Sequence, residues 1–220
     1  MGDPNLITRH SWMDRLPRHR HREAYAAVVL AGGYVEAGDQ GRMRVAAGHV
    51  LLHRAYEAHK NEFARAGAVV LNLQLPAADL PTLACCRDVD LLARLAARDP
   101  REASAALTDT LTPATAQLSD WPDLLARQLR SDPHLEIGRW AAQHRLAPQS
   151  VSRGFRAAYG ISPQRFRLEA RARRALLRLA TWSGTLAGLA AEYGFADHAH
   201  LSRTLVSMTG IPPAAMRLRR

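Results

Sequence analysis

The spacing of apolar positions divides the chain into a β-patterned first half and a helical second half. Between residues 19 and 75, short runs rich in valine, leucine and tyrosine are separated by glycine turns, a pattern typical of antiparallel strands. From residue 89 onward, apolar positions recur every three to four residues, as on one face of a helix. The pattern therefore predicts an α+β protein, with an antiparallel β-barrel or sandwich followed by an all-α C-terminal part.

The predicted elements divide the chain into three successive parts. Residues 1–18 are expected to form a loosely tied arm. Turns at Gly32-Gly33 and at residues 38–41 separate the predicted strands, which cover residues 25–30, 34–36, 42–46, 48–53 and 68–75. Helices are predicted at residues 89–98, 101–109 and 121–129. We expect a first domain at residues 1–110, a linker with its leading helix at 111–130, and a second domain at 131–220.

The helix predicted at residues 89–98 has one apolar face, which contains Val89, Leu92 and Leu95. Burying such a face removes apolar surface from water, whatever covers it. Two interpretations are therefore open at this stage. The helix packs against the sheet of its own chain, or it forms the seam of a homodimer.

The last third of the chain contains one pattern twice, fifty residues apart. Residues 151–155 are VSRGF and residues 201–205 are LSRTL; GISP at 160–163 is matched by GIPP at 210–213. A repeat of this length indicates a supersecondary unit used twice. Each copy predicts two helices joined by a tight turn, at residues 135–143 and 148–159 and at residues 185–193 and 198–209.

Capping residues set the predicted ends of these helices. Ser131 or Asp132 is expected to cap the first helix of the first copy, with Pro133 at its first helical position. Asp197 is the expected cap of the second helix in the second copy. A further helix at residues 163–181 joins the two copies and spans about 27 Å. That length suits two helices in successive major grooves, because one turn of duplex measures roughly 34 Å.

The positive charge of the chain is concentrated on the repeat. The net charge is +10, but residues 1–130 hold 16 Lys plus Arg against 15 Asp plus Glu, whereas residues 131–220 hold 14 against 5. An excess placed on one module predicts a surface for the phosphates of nucleic acid, ahead of a membrane surface. No apolar run of about eighteen residues occurs, and residues 1–22 lack the apolar core of a secretory signal. A cytoplasmic location is therefore expected.

These motifs resemble the DNA-binding half of the AraC family of bacterial transcriptional regulators. The resemblance is carried by WAA at residues 140–142, by the two repeated pentapeptides and by the GISP and GIPP segments. It implies two helix-turn-helix units joined by a long helix. Two positions depart from the family pattern. Arg145 stands where the turn usually has glycine, and Leu205 stands where an aromatic residue is usual.

The resemblance also implies which side chains contact DNA. Arginine can donate two hydrogen bonds to guanine, and glutamine can pair with adenine. The residues expected to contact base edges are Gln149, Ser152, Arg153, His198, Ser202 and Arg203. The residues expected to contact phosphates, which orient the protein without specifying sequence, are Arg156, Arg165, Arg167 and Arg217.

The N-terminal part resembles the cupin barrels that are often attached to this family. His59 follows Gly48 by eleven residues, which is the spacing of the second cupin motif. Arg54 and Tyr56 replace the proline and the glycine of that motif. The resemblance therefore implies a cupin-like antiparallel β-barrel with incomplete motifs.

The first cupin motif is suggested by His19 and His21, with Tyr25 in the position of its glutamate. By resemblance, these two histidines converge with His59 inside the barrel and could bind a divalent metal, since imidazole suits zinc, iron and nickel. The open alternatives are a pocket for an organic ligand, with His53 as a further lining residue, and histidines that satisfy one another.

Three functions are candidates for a chain with these residues. A sequence-specific regulator, with the barrel as sensor or dimerisation domain, explains why the two repeated helices carry distinct residues; a non-specific architectural DNA binder does not. A metal-dependent cupin enzyme with a basic tail needs an intact ligand set, and Tyr25 in the acid position counts against it. We therefore expect a regulator and no enzyme. The expected partners are double-stranded DNA, a small-molecule effector, RNA polymerase and a second copy of the chain.

Overall fold

The computed structural model describes residues 6–74 and 81–217. They form two compact units, Met1–Leu118 and Ser119–Arg220. The first unit contains the strands and the second is helical, so the expected α+β class is confirmed. The start of the predicted arm, at residues 1–5, and the predicted strand end at residue 75 lie outside the described residues. No helix in the described ranges is long and apolar enough to cross a membrane.

One antiparallel sheet makes up most of the first unit. Its described strands are β1 (Ile7–His10), β2 (Arg15–Arg20), β3 (Tyr25–Gly38), β4 (Gly41–Ala46), β5 (His49–His53), β6 (Ala58–Gln74), β7 (Leu83–Cys85) and β8 (Thr112–Pro113). Their order is β1-β6-β3-β5-β7-β8, while β2 also pairs with β6 and β4 with β3. The two longest strands, β3 and β6, therefore lie side by side and organise the sheet.

Gly32 bends β3 instead of ending it, so the turn predicted at Gly32-Gly33 is wrong. The register between β3 and β6 shifts around this point, but both strands continue through it. Gly32 has φ +70°, and a Cβ there would overlap the carbonyl oxygen of Gly67 on β6. Glycine thus permits a bulge between two closely spaced backbones. Because of this bend, β3 pairs with β5 along its first part and with β4 along its second.

Several strands were missed by the sequence pattern. β1 and most of β2 fall in the predicted arm, and the first part of β6 was not predicted. β2 has the sequence RLPRHR, in which a single leucine gives little period-2 signal. It is held by antiparallel pairing to β6, which residues 15–20 do not encode on their own. In the predicted linker, β8 pairs with β7, and Gln117 forms a bridge with Met43.

Two helices, α1 (Val89–Arg98) and α2 (Pro100–Thr110), complete the first unit. Leu92 and Ala96 of α1 share a buried apolar core with Val28 of β3 and Leu71 of β6. Of the two interpretations of this helix, the structure shows packing against its own sheet. Burial of the Leu92 side chain alone contributes roughly 1.5–3 kcal/mol to that packing.

The second unit contains the predicted pair of repeated helix pairs. Its described helices are α3 (Trp121–Ser131), α4 (Ile137–Gln143), α5 (Pro148–Tyr159), α6 (Pro163–Leu179), α7 (Leu186–Glu192), α8 (His198–Thr209) and α9 (Pro213–Arg217). The first repeat is α4 with α5, the second is α7 with α8, and α6 joins them. α5 and α8 begin and end at the predicted residues.

The capping residues were predicted correctly for α8 but not for α4. The backbone amide of His200 donates a 2.6 Å hydrogen bond to Oδ1 of Asp197, which caps α8 as expected. The predicted start at Pro133 is wrong, because α4 begins at Ile137. Asp132 instead ends α3. Its carboxylate accepts a 2.8 Å hydrogen bond from the amide of His134, so it stabilises the connection and not a helix start.

Candidate nucleic-acid interface and histidine cluster

α5 has a buried apolar side and an exposed polar side. Val151, Phe155 and Tyr159 recur at four-residue spacing and are buried. The exposed polar side chains on α5 are Gln149, Ser152, Arg153 and Arg156. All three residues of α5 expected to contact bases are therefore accessible, and so is one expected to contact phosphate.

α8 repeats this arrangement. Its buried side is formed by Leu201, Thr204, Leu205 and Met208. Leu205 is fully buried, so leucine serves as a core residue at the position where the resembling family has an aromatic. Of the residues expected to contact bases, His198 and Arg203 are exposed and Ser202 is half-buried.

Neither of these two helices carries an acidic residue. Asp197, which precedes α8, has a pKa below its usual value, chiefly because its carboxylate accepts the backbone hydrogen bond from His200 and also because Arg203 lies near it. The exposed sides of α5 and α8 are thus polar or cationic. Such surfaces attract phosphates and can donate hydrogen bonds to base edges.

The four arginines expected to contact phosphates differ in their contacts. Arg156 is exposed. The Nε of Arg165 donates a 2.8 Å hydrogen bond to Glu169. Arg167 donates to the carbonyl of Leu135 at 2.8 Å, just before α4. For these three residues the contact with phosphate stays a prediction.

Arg217 occupies the same place in the second repeat as Arg167 does in the first. Its guanidinium donates to the carbonyls of Trp182 at 3.0 Å and Gly184 at 2.6 Å, just before α7. Arg167 therefore links the residues just before α4 to α6, and Arg217 links the residues just before α7 to α9. This contact explains why an arginine occurs at the same position of both repeats. Contact of Arg217 with phosphate also stays a prediction.

The tight turn of each helix pair contains one residue in the left-handed region. In the second pair this residue is Gly194, with φ +69°, and in the first it is Arg145, with φ +55°. Arginine therefore adopts the conformation that glycine takes in the equivalent turn. For an L-residue this conformation costs roughly 1–2 kcal/mol.

Replacing Arg145 by glycine is expected to raise the free energy of unfolding by about 0.5–1 kcal/mol, since relief of the backbone strain outweighs the extra freedom of glycine in the unfolded chain. His144, with φ −94°, provides the matched control. His144→Gly is expected to lower the stability, because no strain is relieved there. Urea unfolding curves of the two variants and the parent check this prediction. Equal losses in both variants would contradict it.

Three aromatic rings hold α5 against its neighbours. Phe155 stacks on Tyr159 with ring centroids 4.7 Å apart, and both meet the edge of Phe166 on α6, at 5.4 and 5.2 Å. The hydroxyl of Tyr159 donates a 2.8 Å hydrogen bond to Asp123 of α3. The position of α5 is thus fixed by α3 and α6, and no hydrogen bond within α5 could fix it alone.

In the first unit, the sheet brings the four predicted histidines together. His19 on β2 faces His59 on β6, with ring centroids 4.4 Å apart. His21 lies 4.9 Å from His19 and 5.4 Å from His59, and His53 lies 4.4 Å from His59. Tyr25, in the acid position of the first motif, stacks on His53. His59 is the centre of this cluster.

One member of the cluster, Glu36, was not predicted from the sequence. Its Oε2 lies 3.5 Å from Nε2 of His53, and both side chains are buried. A signal for it exists in the sequence. Tyr34 and Glu36 are two positions apart in one strand and so point to the same face. Tyr34 is also buried, so Glu36, two residues later in the same strand, is expected to place its carboxyl group in the interior.

Burial favours the uncharged forms of Glu36, His53 and His59. Desolvation, with a smaller contribution from Glu57, raises the pKa of Glu36 well above its usual value. Desolvation and the charges of His21 and His19 lower the pKa of His53 to about 3. The pKa of His59 is lowered in the same way, first by desolvation. The imidazoles of His53 and His59 are therefore neutral near pH 7, with their lone pairs available.

The turn before His59 is held by Glu57. Its carboxylate accepts a 2.8 Å hydrogen bond from Nε2 of Gln40 and a 2.9 Å bond from the amide of Arg54. Tyr56, in the place of the glycine of the second cupin motif, has φ +60°. The left-handed backbone that suits glycine is thus kept here in spite of the tyrosine.

The cluster borders a narrow pocket, with room for about one water molecule. Its lining includes Glu36, His53, His59 and the apolar side chains of Met43 and Leu51. Apolar walls with a few convergent polar groups are typical of sites for small ligands.

Comparison with known proteins finds a described domain within the second unit. Residues 140–219 match a family model described as a helix-turn-helix domain, which is of the AraC type. The match spans α4 to α9 and so contains both helix pairs. No curated protein matches the chain.

Solved structures of related architecture include three of known origin. The C-terminal domain of AraT, a response regulator from Geobacillus stearothermophilus, is 19% identical, covers 48% of this chain and 89% of its own, and has a TM-score of 0.42. Fatty-acid-bound ToxT from Vibrio cholerae is 11% identical over 97% of this chain and 94% of its own, at 0.42. A probable AraC family regulator from Rhodopseudomonas palustris is 20% identical over 43% and 92%, at 0.41.

Proposed function

Because residues 140–219 form a helix-turn-helix domain of the AraC type, we propose that the chain is a sequence-specific DNA-binding regulator of transcription. The observation that carries this proposal is the pair of helices α5 and α8. Each occupies the second position of a helix pair, and each presents an exposed, acid-free side with an arginine in the same place of the repeat. Helices in this position of the motif enter the major groove.

The joining helix supports contact with two successive grooves. α6 has 17 residues, which corresponds to a length of roughly 26 Å, close to one turn of duplex, roughly 34 Å. In this proposal Arg153 and Arg203 donate paired hydrogen bonds to guanines in adjacent major grooves. Gln149, Ser152, His198 and Ser202 contact neighbouring base edges.

The first unit serves, in this proposal, as the sensor or dimerisation part of the regulator. Its narrow pocket combines apolar walls with buried polar groups, a lining typical of sites for small molecules. A regulator of this kind acts where the DNA and RNA polymerase are, which places it in the cytoplasm. Two helix pairs on one chain do not require a dimer for contact with two grooves, so a homodimer would serve regulation and not binding itself.

A selection of genomic fragments by the full chain tests the proposal. Fragments bound at moderate salt are expected to share a motif with two half-sites about one helical turn apart. If binding depends on salt but no motif is enriched, the chain is a non-specific DNA binder. The proposal of a sequence-specific regulator is then wrong.

Arg156→Ala is expected to weaken binding to all DNA sequences alike and to reduce the slope of log K against log salt by about one, because one phosphate contact is lost. Arg156 is exposed on α5, one turn after Arg153. Titrations of an enriched fragment and a scrambled fragment at several salt concentrations measure both quantities. A loss confined to the enriched fragment would assign Arg156 to base contact instead.

A further inference from the structure

Glu36, His53 and His59 form a buried group whose polar atoms are not satisfied within the protein. Among the described residues, Oε2 of Glu36, Nε2 of His53 and Nδ1 of His59 have no hydrogen-bond partner. All three side chains are buried. An unpaired polar atom in a protein interior is unfavourable, and most such atoms are paired. Three of them side by side indicate a site for a ligand and not a packing error.

The spacing of these atoms is that of metal ligands. One ligand atom from each of the three side chains lies within 4.8 Å of the other two. The 3.5 Å between Oε2 of Glu36 and Nε2 of His53 exceeds the usual N–H···O distance of about 2.7–3.2 Å. Zinc bonds of about 2.0–2.2 Å to nitrogen and oxygen place neighbouring ligand atoms roughly 2.8–3.6 Å apart. The pair thus fits two ligands of one ion better than a hydrogen bond.

The residue types and the pocket agree with this geometry. Two neutral imidazoles and one carboxyl group, which loses its proton when it ligates an ion, bind divalent transition metals, and such sites commonly leave positions open for water or another ligand. The three residues line the same pocket, so an open position would face it. Tyr25 contacts the other ring nitrogen of His59, since its hydroxyl lies 3.4 Å from Nε2 of that residue.

We propose that Glu36, His53 and His59 bind one divalent transition-metal ion, with Zn²⁺ as the first probe, and that the pocket leaves a coordination position for a small ligand. This set differs from the set implied by the cupin motifs, in which His59 acts with His19 and His21 and whose ligand atoms also lie within 4.8 Å of one another. His19 and His21 are only half-buried, and Nδ1 of His19 contacts the carbonyl of Pro17 at 2.8 Å. They flank the site on its outer side.

The test uses the full chain, freed of metal by chelator and dialysis and then titrated with Zn²⁺ alone. One Zn²⁺ per chain is expected. Glu36→Gln and His53→Gln should each weaken binding at least about a hundredfold, since changes at residues that only support metal ligands cost about 10–100-fold. Mg²⁺, which prefers oxygen ligands, should not compete. His49→Ala is the matched control, because His49 lies on the same strand as His53 and contacts Ala46 instead.

Two results would overturn the proposal. One is a parent chain that binds no Zn²⁺. The other is binding that is lost in His19→Gln and His21→Gln but kept in Glu36→Gln and His53→Gln. Circular dichroism shows whether each variant is folded. If both glutamine variants are unfolded, the midpoint of thermal unfolding of the parent chain tests the proposal instead. It must rise with Zn²⁺ and not with Mg²⁺, and an unchanged midpoint overturns the site.

Discussion

Replacing Arg153 and Arg203 together by alanine is expected to remove about 2–6 kcal/mol of the free energy that separates a preferred site from unrelated DNA. Each paired contact of arginine with guanine is worth about 1–3 kcal/mol, and contacts at well-separated base pairs add approximately. Both side chains are exposed, each on the second helix of its own helix pair. The preference for an enriched site should fall, while binding to scrambled DNA falls much less.

Competition titrations at one fixed salt concentration measure this change as a ratio of dissociation constants. Arg127→Ala is the matched control, since Arg127 is an exposed arginine on α3, outside both helix pairs. The control should leave the ratio unchanged. If the double variant also kept the ratio of the parent, neither arginine would contact bases. The proposal would then have to rest on the remaining polar residues of α5 and α8.

Phe155→Ala is expected to lower the free energy of unfolding of the second unit by about 3–5 kcal/mol, as loss of a buried aromatic ring does. Phe155 has no exposed surface and contacts the rings of Tyr159 and Phe166. Its loss leaves a cavity where α5 meets α6, so α5 is no longer held in place. Affinity for specific DNA should fall together with stability.

Tryptophan fluorescence during urea unfolding measures this loss, because three of the four tryptophans lie within residues 119–220. Leu177→Ala is the control. Leu177 lies on the same unit but is 56% exposed, and substitutions at such positions usually change stability by no more than about 0.5 kcal/mol. Equal midpoints for Phe155→Ala and the parent would show that these rings do not hold the unit together.

The helices of the second unit were predictable because their signals are local. Pro148 at the start of α5 and Gly160 at its end, with φ +78°, define that helix from its own residues. Gly210 ends α8 in the same way. The wrong prediction that Asp132 caps the start of α4 also comes from reading a local signal, because one aspartate can stand at the end of one helix or at the start of the next. Local sequence does not distinguish these two uses.

The histidine cluster was predictable only in part. Motif spacing led to His19, His21 and His59, and the sheet does bring them together. Glu36 was missed because no motif contains it, and its nearness to His53 follows from the pairing of β3 with β5 and β6. Such pairing joins residues far apart in the chain and depends on the register of several strands at once.

Sequence alone determined the helical repeat, its charge and the residues on its exposed sides, since apolar period, proline, glycine and capping acids act within a few residues of one another. Only the tertiary structure decided that Gly32 bends a strand, that β2 and the start of β6 are strands, and which buried carboxyl lies beside the histidines. Those outcomes depend on hydrogen bonds and burial between distant segments, and the free energy of such contacts exists only once the sheet has formed.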